Sequence, residues 1–124
     1  MADTPLTARD YPIAETKPDE VTGNRGKVLS SLTMEAVLSG DISMEDLRIT
    51  PQALEQQAEI SKSVGRSTLA RNFERAAEMA QIPQDEVMAI YELLRPGRAA
   101  SKDSLLDVAQ KLRDELNAPL LADF

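Results

Sequence analysis

The chain has 124 residues, 42% of them hydrophobic, a formal net charge of −7, and neither Cys nor His. Its length fits one domain of ordinary globular composition, and the missing residue types exclude thiol and imidazole nucleophiles, serine–histidine acyl transfer, Cys/His zinc sites and disulfides. The acidic balance opposes nucleic acid as a partner, because phosphate binding needs a Lys and Arg excess on some face.

At the N-terminus, Arg9, Asp10, Glu15 and Lys17 interrupt any apolar core, so no secretory leader is read there. No window approaches the roughly 18 apolar residues of a membrane helix, and a cytoplasmic protein without membrane contact is expected. The absence of Cys fits a reducing compartment. Residues 1–32 read as an extended arm. Pro5, Pro12 and Pro18 interrupt helix, Gly23 and Gly26 loosen the stretch after them, and no 3.6-residue period is present. An unstructured stretch of that length is uncommon inside a compact domain. Its one apolar cluster, Tyr11-Pro12-Ile13-Ala14, makes Tyr11, Pro12 and Ile13 the candidate subunit-interface residues, laid on a partner instead of folded back on the chain's own domain.

Residues 33–124 read as a helical domain. Thr33 caps a short helix over Met34–Ser39 that Gly40 stops, and Ser43 with Glu45 and Asp46 marks a second brief turn. Thr50-Pro51 combines a cap hydroxyl with a proline at the first helical position, opening a helix to about Val64 before Gly65. Its apolar positions, Ala53, Leu54, Ala58, Ile60 and Val64, make an imperfect stripe. The next helix starts near Ser67 and sets Leu69, Phe73, Ala76 and Ala80 on one face. Leu69 and Phe73 are expected to anchor it in the core, with Leu105, Leu112 and Leu116 opposing. Ile82-Pro83 breaks it. A further helix to Leu94 gathers Val87, Ile90, Tyr91 and Leu94 on one side, and Pro96-Gly97 ends it. Ser101 caps the last helix, with Leu105, Ala109, Leu112 and Leu116 on a common face before Pro119. No period-2 strand, repeat or low-complexity tract interrupts this pattern. The fold class is all-α, a small bundle of short helices with an extended N-terminal arm. Helices of three or four turns draw most of their stability from packing, so a partner surface would help such a domain.

Candidate chemistry is sparse. Asp41, Glu45 and Asp46 lack the calcium-loop pattern, and acidic residues at helix starts follow from the helix dipole. Gln84-Asp85-Glu86 is a similar first turn. Gly23-Asn24-Arg25-Gly26-Lys27 is glycine-rich and basic, but it lacks the second half of a phosphate loop and no strand precedes it. Arg71 and Arg75 stand beside Glu74 and Glu78, where ion pairing is the expected use. Asp107 and Lys111 are spaced i,i+4 as a solvated pair. Four basic and five acidic residues in 1–32, against ten and sixteen beyond, leave no hidden basic stripe. Aromatic content of 3% disfavours stacking platforms. No catalytic, cofactor-binding or metal-binding residue is assigned.

The order of the segments is more telling than any one of them. Asp10-Tyr11-Pro12-Ile13-Ala14, Thr33-Met34-Glu35-Ala36-Val37-Leu38-Ser39-Gly40, Asp46-Leu47-Arg48-Ile49 and Leu54-Glu55-Gln56-Gln57-Ala58 come first. Ala70-Arg71-Asn72-Phe73-Glu74-Arg75-Ala76-Ala77-Glu78, Ile82-Pro83 and Leu93-Leu94-Arg95-Pro96 complete the series. Together, from about Asp10 to Phe124, they resemble the small subunit of the adenosylcobalamin-dependent diol and glycerol dehydratases.

The resemblance implies a heteromeric lyase of large, medium and small subunits, two copies of each. In that family the large subunit is a β/α barrel holding the diol and a cation, and adenosylcobalamin lies between large and medium subunits. A radical abstracts substrate hydrogen, a hydroxyl migrates, and water leaves to give an aldehyde. The small subunit packs on the large one without supplying catalytic residues. Two departures stand out: Gln84 follows Pro83 where relatives tend to have Asp, and the sequence stops at Phe124 where many relatives continue into a charged helix. Some relatives carry a longer amphipathic N-terminal extension linked to bacterial microcompartments. Met1 to Thr7 is too short for that, so encapsulation is not expected. The residues taken without the resemblance also allow a free-standing helical adaptor.

Overall fold

A computed structural model describes residues 4–124. Among the described residues the ordered elements are helical: α1 Ile13–Thr16, α2 Met34–Leu38, α3 Met44–Leu47, α4 Pro51–Ser63, α5 Ser67–Met79, α6 Gln84–Leu94, α7 Lys102–Asp114 and α8 Pro119–Asp123. The all-α expectation holds. The starts follow the expected caps. Thr33 Oγ1 accepts from the Ala36 amide at 3.1 Å, Thr50 Oγ1 from Ala53 at 3.0 Å and Ser101 Oγ from Ser104 at 3.2 Å. Each bond satisfies an amide that has no partner within its helix. Gly65, at φ +77°, closes α4 in the left-handed region that a side chain would disfavour.

Backbone contacts divide the chain into two compact units between Phe73 and Glu74, inside α5. In the first unit the buried apolar residues are Ile13, Ile42, Leu54, Ala58, Ile60 and Ala70. Leu54, Ala58 and Ile60 come from the expected stripe of α4, whereas Val64 is exposed. In the second unit Ile82, Leu112 and Ala118 form the core, with Val87, Ile90, Val108, Leu116, Leu121 and Ala122 packed against it.

Four differences from the sequence reading have physical causes. Residues 4–32 are not uniformly extended. They hold 3₁₀ turns at Ala8–Asp10, Pro18–Glu20 and Leu29–Ser31, helix α1, and an antiparallel bridge between Thr22 and Val28. Pro12 and Pro18 open these turns, at positions where a missing amide costs nothing, instead of preventing them. In α5 the buried face contains Ala70 and Ala77, while Leu69 is 38% exposed, Phe73 is half-buried and Ala80 is exposed. The most buried positions of α5 are therefore two small residues, and the anchoring role assigned to Leu69 is corrected. In α6, Val87 and Ile90 face the core but Tyr91 and Leu94 are exposed. Finally, α8 lies beyond the helix that the sequence marks as last. The chain turns through Asn117, at φ 50°, and Pro119 takes the first helical position.

Candidate interaction surface

Of the three candidate interface residues, Tyr11 and Pro12 are exposed and Ile13 is buried within the first unit. The segment that carries them folds back on its own unit, contrary to the expectation of an arm laid elsewhere. Turn Ala8–Asp10 lies against α4. The Leu6 amide donates to Oε2 of Glu59 and the Ala8 amide to Oγ of Ser63, both at 3.0 Å. Asp10 accepts from the Thr7 amide at 2.8 Å and pairs with Lys17 at 3.3 Å. The Thr7 bond, with Lys17 assisting, holds the Asp10 carboxyl below its ordinary pKa. Extended backbone needs donors and acceptors for its own groups, and α4 side chains provide them here.

Two clusters without chemistry of their own in the sequence prove to be each other's partners. The hairpin loop 23–27, closed by the Thr22–Val28 bridge, aims Arg25 and Lys27 at the acidic residues around α3. Arg25 Nε donates to Oδ1 of Asp46 at 2.8 Å, its Nη2 donates to Oδ2 of Asp46, and Nη2 also reaches the Asp41 carbonyl at 2.8 Å. Lys27 Nζ pairs with Asp41 Oδ1 at 2.8 Å, and the Ser43 amide donates to Asp46 Oδ2 at 2.8 Å. Asp46 is 4% exposed. The Arg25 fork and then the Ser43 amide hold its carboxyl well below the usual carboxylate range, and Asp46 in turn raises the pKa of Arg25. Gly23 is required for this approach, since a Cβ there would stand 2.8 Å from the Asp46 carbonyl oxygen. The basic groups of the glycine-rich loop and the acidic groups around α3 are thus paired with one another. Among the described residues no group of three His, Cys, Asp or Glu side chains is placed to hold a metal ion.

In the second unit the C-terminal segment is tied down by charge. Glu78 accepts from the amides of Leu120 and Leu121 at 3.1 and 2.9 Å, one on each carboxylate oxygen, capping α8 where Ala118 offers no side-chain cap. Arg113 pairs with Asp123 at 2.6 Å, and the Arg75 guanidinium lies 4.4 Å from the centre of the Phe124 ring. Lys111 reaches both oxygens of Glu86 on α6 at 3.1 Å. A cross-helix partner thus takes the cation that spacing alone matched with Asp107.

Two open hollows lie in the first unit. The larger, about 540 Å³, is walled by Lys17, Glu20, Glu55 and Glu59 among others. The smaller, about 320 Å³, is lined by Thr7, Ala8, Arg9 and Ser63. Among the described residues no helix is long and apolar enough to cross a membrane.

Short capped helices, paired charges and exposed apolar side chains characterise a small helical chain. The model of the dehydratase small subunit family matches residues 6–124, and the chain belongs to that family. It is 44% identical over 115 residues to the propanediol dehydratase small subunit of Citrobacter freundii and, over the same length, to that of Salmonella typhimurium. In each case the match covers 93% of this chain and 66% of the relative. The chain therefore spans just under two thirds of the length of these relatives.

Proposed function

We propose that this chain is the small subunit of a heteromeric, adenosylcobalamin-dependent diol or glycerol dehydratase, with a structural role on the large catalytic subunit. The supporting observation is the family match across residues 6–124, joined by 44% identity to two propanediol dehydratase small subunits. In this reading the partners are large and medium subunits, two copies of each of the three chains, in the cytoplasm. The cofactor and the diol belong to those partners, and bound adenosylcobalamin supplies the radical that starts the dehydration. This chain contributes contact surface. Tyr11 and Pro12 meet the large subunit, while Ile13 fixes their turn from inside.

The test is to co-express the three chains with and without this one and to follow cobalamin-dependent aldehyde formation from 1,2-propanediol and from glycerol. The chain should co-elute with the two larger ones, and omitting it should lower the yield of active complex. Full activity and unaltered thermal stability of the two-chain preparation would refute the assignment. An adaptor that acts alone would give that result.

A further inference from the structure

Helices α2 and α3 are turned inside out. Met34, Val37 and Leu38 recur at i, i+3 and i+4, the spacing of one helical face, yet that face is bare, with Leu38 80% and Met34 73% exposed. Behind it, the half-buried Ala36 offers its carbonyl to the amide of buried Ile42 at 3.1 Å. In α3, Met44 is 71% exposed and Leu47 is exposed, while the residue turned inward between them is Asp46. Ile49 comes next and is exposed as well. A buried carboxylate is costly unless it is paired and hydrogen-bonded. Placing Leu47 inward and a polar group outward would avoid that cost. Instead the fold uses Arg25, the Ser43 amide and the close approach at Gly23 to hold α3 with its carboxylate inside.

The exposed face is large for an isolated surface. Summed over α2, α3 and Ile49, six large side chains bare on the order of 100 Å² each, a total comparable with the roughly 300–600 Å² of the largest apolar patch on a typical monomer. They approach the roughly 800 Å² that each partner contributes to a standard interface. Among the described residues the cations beside these helices, Arg25, Lys27 and Arg48, are each paired with a carboxylate, of Asp46, Asp41 and Glu45, which leaves the exposed Glu35 as the uncompensated charge at the margin. A second copy, itself carrying −7, would bring like charges together.

Resting on the subunit reading above, we propose that the outward apolar faces of α2 and α3 dock onto an apolar depression with a basic rim on the large dehydratase subunit. The Arg25–Asp46 pair acts as the positioning device that turns them outward.

The experiment uses the three co-expressed chains, with the affinity tag on the large subunit, and compares wild type with the Leu38→Glu/Met44→Glu double variant. Both positions are exposed, so the isolated variant should keep the wild-type far-UV circular dichroism and melting temperature. Its apparent affinity for the large subunit should fall at least tenfold. The milder Leu38→Ser/Leu47→Ser pair should fall less, in the same direction. Met88→Glu, an exposed apolar site in the second unit, should bind as wild type. If wild type itself fails to co-elute, the subunit reading falls and the docking surface with it. If wild type co-elutes and the double variant binds equally well, the docking surface alone is overturned. Capture by the medium subunit without the large one would also overturn it, as would an isolated chain that sediments as a dimer which the double variant splits.

Discussion

The two units of this chain solve the same problem in different ways. Beyond Glu74 the interior is aliphatic: Ile82, Leu112 and Ala118 at the centre, ringed by Val87, Ile90, Val108, Leu116 and Leu121. Charged groups act there mainly at the edge, where Glu78 caps α8 and Lys111 ties α7 to α6. Up to Phe73 a paired carboxylate, Asp46, is buried, turns are pinned by single side chains on α4, and large apolar residues of α2 and α3 remain outside. Short helices can therefore be held in place without contributing their apolar side to the interior. That side then remains available for another molecule.

The comparison predicts different sensitivities. The largest effect should come from the second unit. Leu112→Ala removes the most buried large residue of its cluster and should cost about 2–5 kcal/mol in urea or thermal unfolding. Phe73→Ala, at a half-buried position, should cost less than the 3–5 kcal/mol of a fully buried aromatic. A cost for Leu112→Ala below about 1 kcal/mol would show that the cluster does not carry the second unit.

In the first unit a glycine is a sensitive position of a different kind. Gly23→Ala places a methyl carbon 2.8 Å from the Asp46 carbonyl oxygen, backbone that cannot step aside as a side chain would. Overpacking of that kind costs about 1–3 kcal/mol. Wild-type melting behaviour in this variant would mean that the hairpin loop is not pressed against α3.

Acid should act on the first unit through Asp46 and Asp10. Both carboxyls have folded-state pKa values below the ordinary 3.8, so their pairing stabilises fully above that value and is lost as pH falls through it towards the folded-state pKa. Wild type should therefore lose melting temperature progressively on acidification below about pH 4 to 5, the range in which an unfolded Asp begins to take up its proton. Asp46→Asn should be less stable at neutral pH and show a shallower acid dependence. An unchanged acid profile in Asp46→Asn would remove the carboxylate from the account. The smallest effect should be that of Thr50→Ala, which deletes one helix cap and costs about 1 kcal/mol.

Legibility in the sequence followed the range of the interactions. Thr33, Thr50 and Ser101 each bond an amide three residues on, so those helix starts could be read locally. Helix α8 could not, because its amides are capped by Glu78, 42 and 43 residues earlier. The turn Ala8–Asp10 has a local Thr7–Asp10 capping pair, but its attachment to α4 depends on Glu59 and Ser63 and was equally hidden. Periodicity found the α4 and α7 faces but chose the wrong one in α5, where buried Ala70 and Ala77 outrank the more exposed Leu69. The surface was least legible. Met34, Val37 and Leu38 have the spacing of a buried stripe, and only the pairing of Arg25 with Asp46, 21 residues apart, shows why α3 turns its apolar side outward.

Hydrogen–deuterium exchange on the isolated chain, and on the same chain bound to the large subunit, tests the account most directly. It predicts that amides in 34–49 and around Tyr11 gain protection on binding, while those of α7 and α8 in the second unit exchange as before. Unchanged exchange over 34–49, or protection confined to the second unit, would contradict it.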